Sequence, residues 1–376
     1  MKVSFPAMRG EIGQRTYYSC LMKLNAIPKM FTFRDWAEFT PEDREQRILN
    51  KNRVPEIAKY IVDNEEGYIF ASITASYKCP VDFKPISKDS DLGTLEMEFE
   101  QANFVINDGQ HRCAAITQAV QANPAVGEES ISVLLFPYEN RDRVQQMFSD
   151  LNRNVAKTSK SLDILFDHRD PMAQVTQRVC EQVDSFKDMV EKDAVSLPVR
   201  SRKLFSLAAM YDANKELLKA ATRNDEDATV NAMVSIAVDY WLTVAKMIPD
   251  WAAVKRGDIK PMELRQEKIS SHAVVMRALG AAGAELMAAH PNDWKEQLQK
   301  LRSVDWTKKN PDWENVCIIA NSVVSNRQAR MATKAYIKRQ LDLSLTEGEE
   351  RALQTGAQAD ASATAAIAAA AEMAVA

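Results

Sequence analysis

Residues 104–116 have the sequence Phe104-Val105-Ile106-Asn107-Asp108-Gly109-Gln110-His111-Arg112-Cys113-Ala114-Ala115-Ile116. This pattern predicts a buried strand, a sharp turn at Gly109 and a helix that begins at once. Such a corner points free backbone N–H groups and the positive end of the helix dipole at one spot, which suits an anion. Gly109 permits a positive φ or a close backbone approach, and His111 and Arg112 are placed to donate to a phosphate. The glycine spacing of a P-loop or a Rossmann turn is absent, so a capped turn without a ligand is the alternative.

Strand and helix patterns alternate on both sides of this corner. Apolar or β-branched runs predict strands, amphipathic or alanine-rich segments predict helices, and residues 82–96 predict a polar loop. The predicted strands are residues 14–24, 68–77, 104–106 and 131–137, and the predicted helices are residues 41–64, 111–121 and 140–151. The alternation indicates an α/β domain over residues 1–165.

The strand signals fade beyond residue 165. Helical segments separated by prolines predict an all-α domain over residues 166–345. These segments are residues 171–192, 203–222, 228–248, 262–288, 293–303 and 313–341. Residues 346–376 are rich in alanine and have few side chains able to anchor them on a core, so we expect a disordered tail.

The composition limits the class of protein. The chain has 376 residues, 46% of them apolar, and a formal net charge of −4. These values exclude a collagen-like or wholly disordered chain and argue against a polycation that holds nucleic acid by overall charge. The five cysteines are dispersed and the histidines isolated, so we expect reduced thiols and no metal site. No apolar run is long enough to span a membrane, so we expect a cytoplasmic protein.

The helical half contains two basic clusters, although the net charge of the chain is negative. Ser201 is expected to cap a helix that begins beside Arg200, Arg202 and Lys203. Residues 315–341 carry a charge of +5 and residues 342–376 a charge of −5, so these segments cancel in the sum. The cations of the first segment are Arg327, Arg330, Lys334, Lys338 and Arg339. Like charges four residues apart repel, so this stripe either contacts DNA phosphates or is a solvated face balanced by acids elsewhere.

The motif Asp108-Gly109-Gln110-His111-Arg112 names the DGQHR-domain proteins, and the chain resembles the DndB family within that group. The resemblance extends over residues 1–345 and also rests on residues 8–10, 17–20, 53–60 and 147–154. It implies an α/β (α+β) fold, with a ParB/sulfiredoxin-like N-terminal domain followed by an all-α C-terminal domain. In that fold a Gly-x-x-Arg turn holds nucleotide phosphates, and Gly109 and Arg112 match it. Gln110 stands where sulfiredoxin has its catalytic cysteine, so sulfinyl reduction is not expected.

The resemblance implies a DNA-binding transcriptional repressor of a DNA phosphorothioate modification gene cluster, with double-stranded promoter DNA of its own operon as partner. We expect ATP, or another nucleoside triphosphate, to bind with Mg²⁺ at the motif and to modulate DNA contact. The expected nucleotide-binding residues are Asn107, Asp108, Gly109, Gln110, His111, Arg112, Asn152 and Arg153, with Asp108, Gln110 and His111 in the catalytic roles if hydrolysis occurs. The expected DNA-binding residues are Arg200, Arg202, Lys203, Arg327, Arg330, Lys334, Lys338 and Arg339.

Two alternatives belong to other functional classes. The first is an ATP-dependent enzyme of DNA sulfur modification, either an ATPase or a DNA nickase. The second is a protein-interaction module that binds other DNA sulfur-modification proteins or a second copy of the chain. If the acidic tail competes with DNA for the basic segment, deletion of residues 346–376 is expected to tighten DNA binding.

Overall fold

The computed structural model describes residues 2–31, 52–98, 103–153, 158–219 and 229–355. The chain divides into two compact units, Met1–Ala156 and Lys157–Ala376. Each unit has its own hydrophobic core. Residues 41–51 of the first predicted helix and residues 356–376 of the predicted tail lie outside the described residues.

The first unit is built on a mixed seven-stranded sheet. Its strands are β1 (Lys2–Ile12), β2 (Arg15–Lys23), β3 (Ile73–Tyr77), β4 (Val81–Pro85), β5 (Leu92–Glu98), β6 (Phe104–Asp108) and β7 (Ser130–Pro137). Their order across the sheet is β4-β5-β1-β2-β7-β3-β6, and β3 and β7 form its parallel pair. Strand β6, which begins the 104–116 sequence, is therefore an edge strand of the sheet and pairs with the buried strand β3.

Helices pack on this sheet. They are α1 (Ile27–Met30), α2 (Val54–Asp63), α3 (Gln110–Ala122) and α4 (Arg141–Arg153), with 3₁₀ turns at Leu24–Ala26 and Pro124–Glu128. Ile61 of α2 and Ile116 of α3 join Ile106 of β6 in the core. Ala58 and Ala114 form part of a small cluster between α2 and α3, because short side chains let the two helices lie close together. Helix α4 contacts β6.

Most predicted elements of the first unit are confirmed, but three segments differ. The strand predicted from residue 68 begins only at Ile73, and the predicted loop at residues 82–96 contains the hairpin β4–β5. In this hairpin Leu95 and Met97 are buried while the intervening Glu96 binds Lys84, so polar residues hid a half-buried strand. Strand β1 was not predicted for the same reason.

The second unit is mainly helical. Its helices are α5 (Lys160–Phe166), α6 (Pro171–Gln182), α7 (Leu207–Leu217), α8 (Val230–Met247), α9 (Pro249–Arg256), α10 (Pro261–Glu267), α11 (Ala273–Ala289), α12 (Trp294–Gln297), α13 (Arg327–Gln340) and α14 (Glu347–Thr355), with 3₁₀ turns at Leu298–Ser303 and Pro311–Trp313. Two short strand pairs correct the expectation of an all-α domain. They are β8 (Val190–Glu191) with β9 (Phe205–Ser206), and β10 (Ile318–Ile319) with β11 (Ser322–Val323).

Predictions of helix boundaries and of the tail are corrected in this unit. Ser206 caps α7 by accepting from the N–H of Ala209, so the predicted cap Ser201 lies before the helix start. The predicted helix 262–288 is broken between α10 and α11, where the N–H of Ile269 donates to the carbonyl of Trp306. Helix α14 occupies residues that were predicted to be a disordered tail.

The core of the second unit is rich in tryptophan. Trp241, Trp251 and Trp313 are fully buried, as expected from their place in helix-rich segments. All five cysteines of the chain are buried and free. Among the described helices, no single one has the length and apolarity of a membrane span. Helices α8 and α9 have that length and apolarity only when they are taken together, and the chain bends by 88° between them.

Candidate functional site

The backbone of the motif forms the strand–turn–helix corner that its sequence predicts. Strand β6 ends at Asp108, Gly109 adopts a φ of 103°, and α3 begins at Gln110 without a side-chain cap. The positive φ favours glycine at this position, and a Cβ atom at Gly109 would also crowd Cγ1 of Ile73 at 3.2 Å. Gly109 stands at the N-cap position of α3 and has no side chain with which to cap the helix.

Arg112 is engaged within the protein. Its Nη2 lies 2.5 Å from Oδ2 of Asp108, and its Nη1 donates to the carbonyl oxygens of Ala71 and Ser72 just before β3. The Arg112 side chain is only 17% exposed. Arg112 thus ties the corner to the neighbouring strand, and the charge expected to meet a phosphate is neutralised by Asp108.

The polar residues around the turn are largely buried. Asn107 accepts a hydrogen bond from Oγ of Ser76 at 3.0 Å, whereas its Nδ2 is buried and has no partner among the described residues. Gln110 is buried, and His111 is partly exposed. An unpaired buried donor is costly, so Asn107 is the side chain of this corner that most needs a further acceptor.

Cysteine chemistry is not available at the corner. Cys113 is completely buried in α3, and burial raises the pKa of its thiol to about 12. A thiolate nucleophile needs a lowered pKa and access to solvent. Cys113 is therefore not placed to act as a nucleophile.

Asn152 and Arg153 lie at the end of α4, the helix that contacts β6. Nδ2 of Asn152 donates to the carbonyl of Phe148 in its own helix at 2.8 Å, and both side chains are exposed. The structure therefore places them on an element adjacent to the corner but shows no hydrogen bond from either to the described motif residues.

A basic cavity of about 320 Å³ lies in the second unit, between α7, α11 and α13. Four of its lining residues are cations and one is an acid: Arg277, Arg327, Arg330, Lys334 and Glu216. Three of these cations were predicted DNA-binding residues, and α11 adds the fourth. The helix α13 begins at the cavity, with Asn326 capping it through the N–H of Ala329.

The cations of this cavity differ in whether an acid neutralises them. Arg277 lies 2.6 Å from Glu216, and Lys334 lies 2.5 Å from Glu285. Arg327 is exposed, and Arg330 directs its Nε to the carbonyl of Asn326 at 3.3 Å. Among the described residues neither of these two arginines forms an ion pair, so they supply the cavity's uncompensated charge.

Lys338 cannot donate to a phosphate in this conformation. Its side chain is 2% exposed, and its Nζ lies 2.6 Å from carboxylate oxygens of both Glu285 and Glu349. Lys334 binds the same two acids. Burial alone raises the pKa of Glu349, but hydrogen bonds from Lys334 and Lys338 outweigh it and lower the pKa to about 2. We call these four residues the charge network.

The remaining predicted cations lie on exposed positions or in a loop. Arg339 is exposed at the end of α13, and Arg200 and Arg202 are exposed in the segment before β9. Lys203 donates its Nζ to the carbonyl of Asp188 at 2.8 Å, so its ammonium fixes the loop.

Sequence reasoning missed Arg277, Glu285 and Glu349. Arg277 and Glu285 are eight residues apart in α11, so they lie on one helix face two turns from each other. This polar stripe in an otherwise apolar helix was a usable signal. Thr346 and Glu349 have the spacing of a capping box, which was a usable signal for the start of α14, and the N–H of Thr346 donates to Oε2 of Glu349. The pairing of Glu349 with Lys334 and Lys338 had no such signal, because it forms only when α14 packs on α13.

Comparison with known proteins completes the description of the site. Neither a curated protein nor a solved structure matched the chain. One family model did match, that of DndB, described as DNA-sulfur modification-associated, and it covers residues 5–344. The match includes both the motif corner and the basic cavity. The chain therefore belongs to the DndB family and is associated with DNA sulfur modification.

Proposed function

We propose that this protein binds double-stranded DNA through the basic cavity of its second unit and represses transcription of a DNA phosphorothioate modification gene cluster. The observation that carries the proposal is the pair Arg327 and Arg330, which lack acidic partners among the described residues and line one concave surface. Guanidinium groups match phosphate geometry, and the start of α13 adds the positive end of a helix dipole. Membership of a family associated with DNA sulfur modification supports DNA as the polyanion.

The proposed DNA surface is smaller than the one inferred from sequence. Arg327, Arg330 and Arg339 remain as phosphate contacts on α13, and Arg200 and Arg202 are further exposed candidates. Lys334 and Lys338 support α13 through the charge network and leave the proposed contact set. Phosphate contacts of this kind position a protein on a duplex, and selection of a promoter then rests on base contacts or DNA shape.

Promoter binding measured against salt tests the proposal. Fluorescence anisotropy with a labelled duplex from the operon's own promoter gives the dissociation constant at several salt concentrations. Each lost phosphate contact reduces the slope of log affinity against log salt by about 0.9. We expect Arg327→Ala and Arg330→Ala each to flatten the slope by about this amount and to weaken binding about tenfold at low salt.

Arg256→Ala is the matched control, since Arg256 is an exposed arginine of the same unit that pairs with Asp258. We expect it to bind DNA as the unchanged protein does. A slope that is the same for all four proteins would refute DNA binding at the basic cavity. A scrambled duplex of equal length bound as tightly as the promoter would refute the repressor role.

We further propose that the first unit is ParB/sulfiredoxin-like and that its corner binds ATP with Mg²⁺, which modulates DNA contact. The uncapped start of α3 and the unpaired Nδ2 of buried Asn107 support a phosphate there. Arg112 then acts chiefly by holding the corner against β3. Mg²⁺ would neutralise phosphate charge when bound.

Calorimetric titration with ATP and Mg²⁺ tests the corner. Asn107→Leu removes the unpaired donor at similar volume and is expected to weaken binding about tenfold. The same titration of Arg53→Ala, an exposed arginine at the start of α2, serves as control. No heat with the unchanged protein at millimolar nucleotide would end this part of the proposal.

The enzymatic alternative receives less support. A hydrolase at this corner would use Asp108 to hold Mg²⁺ or to orient water, and Oδ2 of Asp108 is held by Arg112. ATP turnover that disappears in Asp108→Ala would favour the enzyme over the repressor.

A further inference from the structure

A second cavity of the helical unit shares no lining residue with the basic cavity. It has a volume of about 380 Å³ and lies between the loop of residues 195–199, the start of α7, helix α10 and the start of α11. Apolar residues form much of its wall: Val195, Leu197, Val199, Ala209, Met262 and Ala273. Val199 is 65% exposed, so apolar surface continues from the cavity towards solvent. A cavity of this size and lining suits a small organic molecule.

One polar side chain in the wall has no partner. Ser271 is 5% exposed, and its hydroxyl is buried without a hydrogen bond among the described residues. Buried hydroxyls in folded proteins are nearly always hydrogen-bonded. Ser271 lines the cavity, so this unpaired hydroxyl belongs to a residue of its wall.

The charge around the cavity is positive and uncompensated. Arg265 directs its N–H groups to backbone carbonyls, and no described carboxylate forms an ion pair with it; those carbonyls belong to Leu197, Pro198, Val199, Ser201 and Pro261. Burial, together with the charge of Arg265, lowers the pKa of Lys308. Burial lowers the pKa of His272 to about 4, so this ring is neutral near neutral pH and adds no charge of its own. The cavity therefore favours an anion.

The start of α11 adds donors to the same place. This helix runs from Ala273 to Ala289 and begins without a side-chain cap, and both His272 and Ala273 line the cavity. Uncapped N–H groups and the helix dipole attract an anionic group. Three features thus belong to the wall of one apolar cavity: the unpaired hydroxyl of Ser271, the charge of Arg265 that no described carboxylate neutralises, and the start of α11 without a side-chain cap.

We propose that this cavity binds a small organic anion, with its carboxylate or phosphate at the start of α11 and its apolar body against Val195, Leu197 and Met262. The site is separate from the basic cavity, since the two cavities have no lining residue in common. Arg265 fixes the loop of residues 197–201 beside it, so the ligand lies against a chain segment that continues into Arg200 and Arg202.

A pair of matched dyes provides the test. Anilinonaphthalene sulfonate has an apolar body and one negative charge, and phenylnaphthylamine is the same molecule without the sulfonate. We expect the sulfonate to bind the full-length protein saturably at one site, at least about tenfold more tightly than the neutral dye. Equal affinity for the two dyes, or no saturable binding of the sulfonate, would overturn the proposal.

Variants at Ala273 locate the binding. Ala273→Asp places a carboxylate at the first position of α11, where it suits the helix dipole and therefore preserves folding while repelling an anion. We expect this variant to bind the sulfonate at least about tenfold more weakly and the neutral dye as before, whereas Ala273→Asn binds both dyes as the unchanged protein does. Unchanged sulfonate affinity in Ala273→Asp would overturn the assignment.

Competition distinguishes the charged groups. Displacement of the sulfonate dye by octanoate assigns the site to carboxylates, and displacement by octyl phosphate assigns it to phosphate monoesters. Displacement by inorganic phosphate at the same concentrations would contradict the role of the apolar wall.

Discussion

The charge network predicts that Glu349→Gln destabilises the second unit. Lys338 lies 2.6 Å from both Glu285 and Glu349, and Lys334 lies 2.8 Å from Glu349. The Glu349 side chain is 6% exposed. Glutamine keeps the shape but removes one of the two negative charges, so two buried or half-buried ammonium groups are left with one carboxylate.

The size of the effect follows from the geometry. Removing one partner of a buried ion pair costs about 3–5 kcal/mol. A pKa held at about 2, against 4.5 for a free glutamate, corresponds to about 3 kcal/mol. Glu285 and Lys334 are partly exposed and water screens them, so we expect about 2 kcal/mol. For a unit of this size the melting temperature then falls by about 4–8 °C.

The stabilising contribution of Glu349 depends on pH and is lost in acid. Because the folded-state pKa of Glu349 is lowered, its contribution is fully present above pH 4.5 and is lost as the pH falls towards about 2. Urea unfolding curves at several pH values measure this. The difference between the unchanged protein and Glu349→Gln should be largest near neutral pH and shrink through the acid range.

Glu347→Gln is the matched control, since Glu347 is an exposed acid in the first turn of the same helix. It changes the net charge equally and is expected to alter stability by less than about 0.5 kcal/mol. Equal urea midpoints for Glu349→Gln and Glu347→Gln near neutral pH would refute the network's role. So would a difference that does not shrink in acid.

Three further outcomes are expected. Gly109→Ala should destabilise the first unit by about 1–3 kcal/mol in thermal unfolding, because an alanine at φ 103° is strained and its Cβ would lie 3.2 Å from Ile73; an unchanged melting temperature would contradict this. Gly280→Ala should destabilise the second unit by a similar amount or more, since its Cβ would lie 2.1 Å from the carbonyl oxygen of Ala213; native-like stability would show that α7 and α11 can separate freely. Cys113 should resist a thiol reagent until urea unfolds the protein, because it is fully buried and its pKa is raised to about 12; rapid labelling of the native protein would contradict its burial.

The motif corner was predictable because its determinants are local. An apolar run that ends at Asn107 and Asp108, a single Gly109 and the alanines after it fix a strand, a left-handed turn and a helix within a few residues. The partner of Asp108 was not predicted, although Arg112 lies one helical turn away. Sequence alone does not show that α3 places this guanidinium on the carbonyls before β3.

Long-range pairing explains the larger errors. The hairpin β4–β5 joins β1 through residues far apart in the chain, and its polar members resemble a loop until the sheet is assembled. In the same way, α14 carries acids that suggest a solvated tail. Its Ala352 is buried in the core, and Glu349 meets Lys334 and Lys338 only where α14 packs on α13. Composition therefore underestimated how far the folded unit extends.

Competition between the acidic tail and DNA must therefore be tested with a shorter deletion than that of residues 346–376. Deletion from residue 346 removes Glu349 and leaves Lys338 buried beside Glu285 alone, so it is expected to destabilise the second unit. Deletion from residue 356 keeps the charge network intact. Only this shorter deletion separates competition between tail and DNA from loss of structure, and tighter promoter binding after it would support competition.

Helix α13 shows why the net charge of −4 was a poor guide to DNA binding. Of the five cations of α13, the two lysines are neutralised by Glu285 and Glu349, while the three arginines have no acidic partner among the described residues. The cancellation that appeared in the sequence sum is thus partly a physical contact inside the unit. A DNA surface is defined by cations without counter-charges, and on α13 these are Arg327, Arg330 and Arg339.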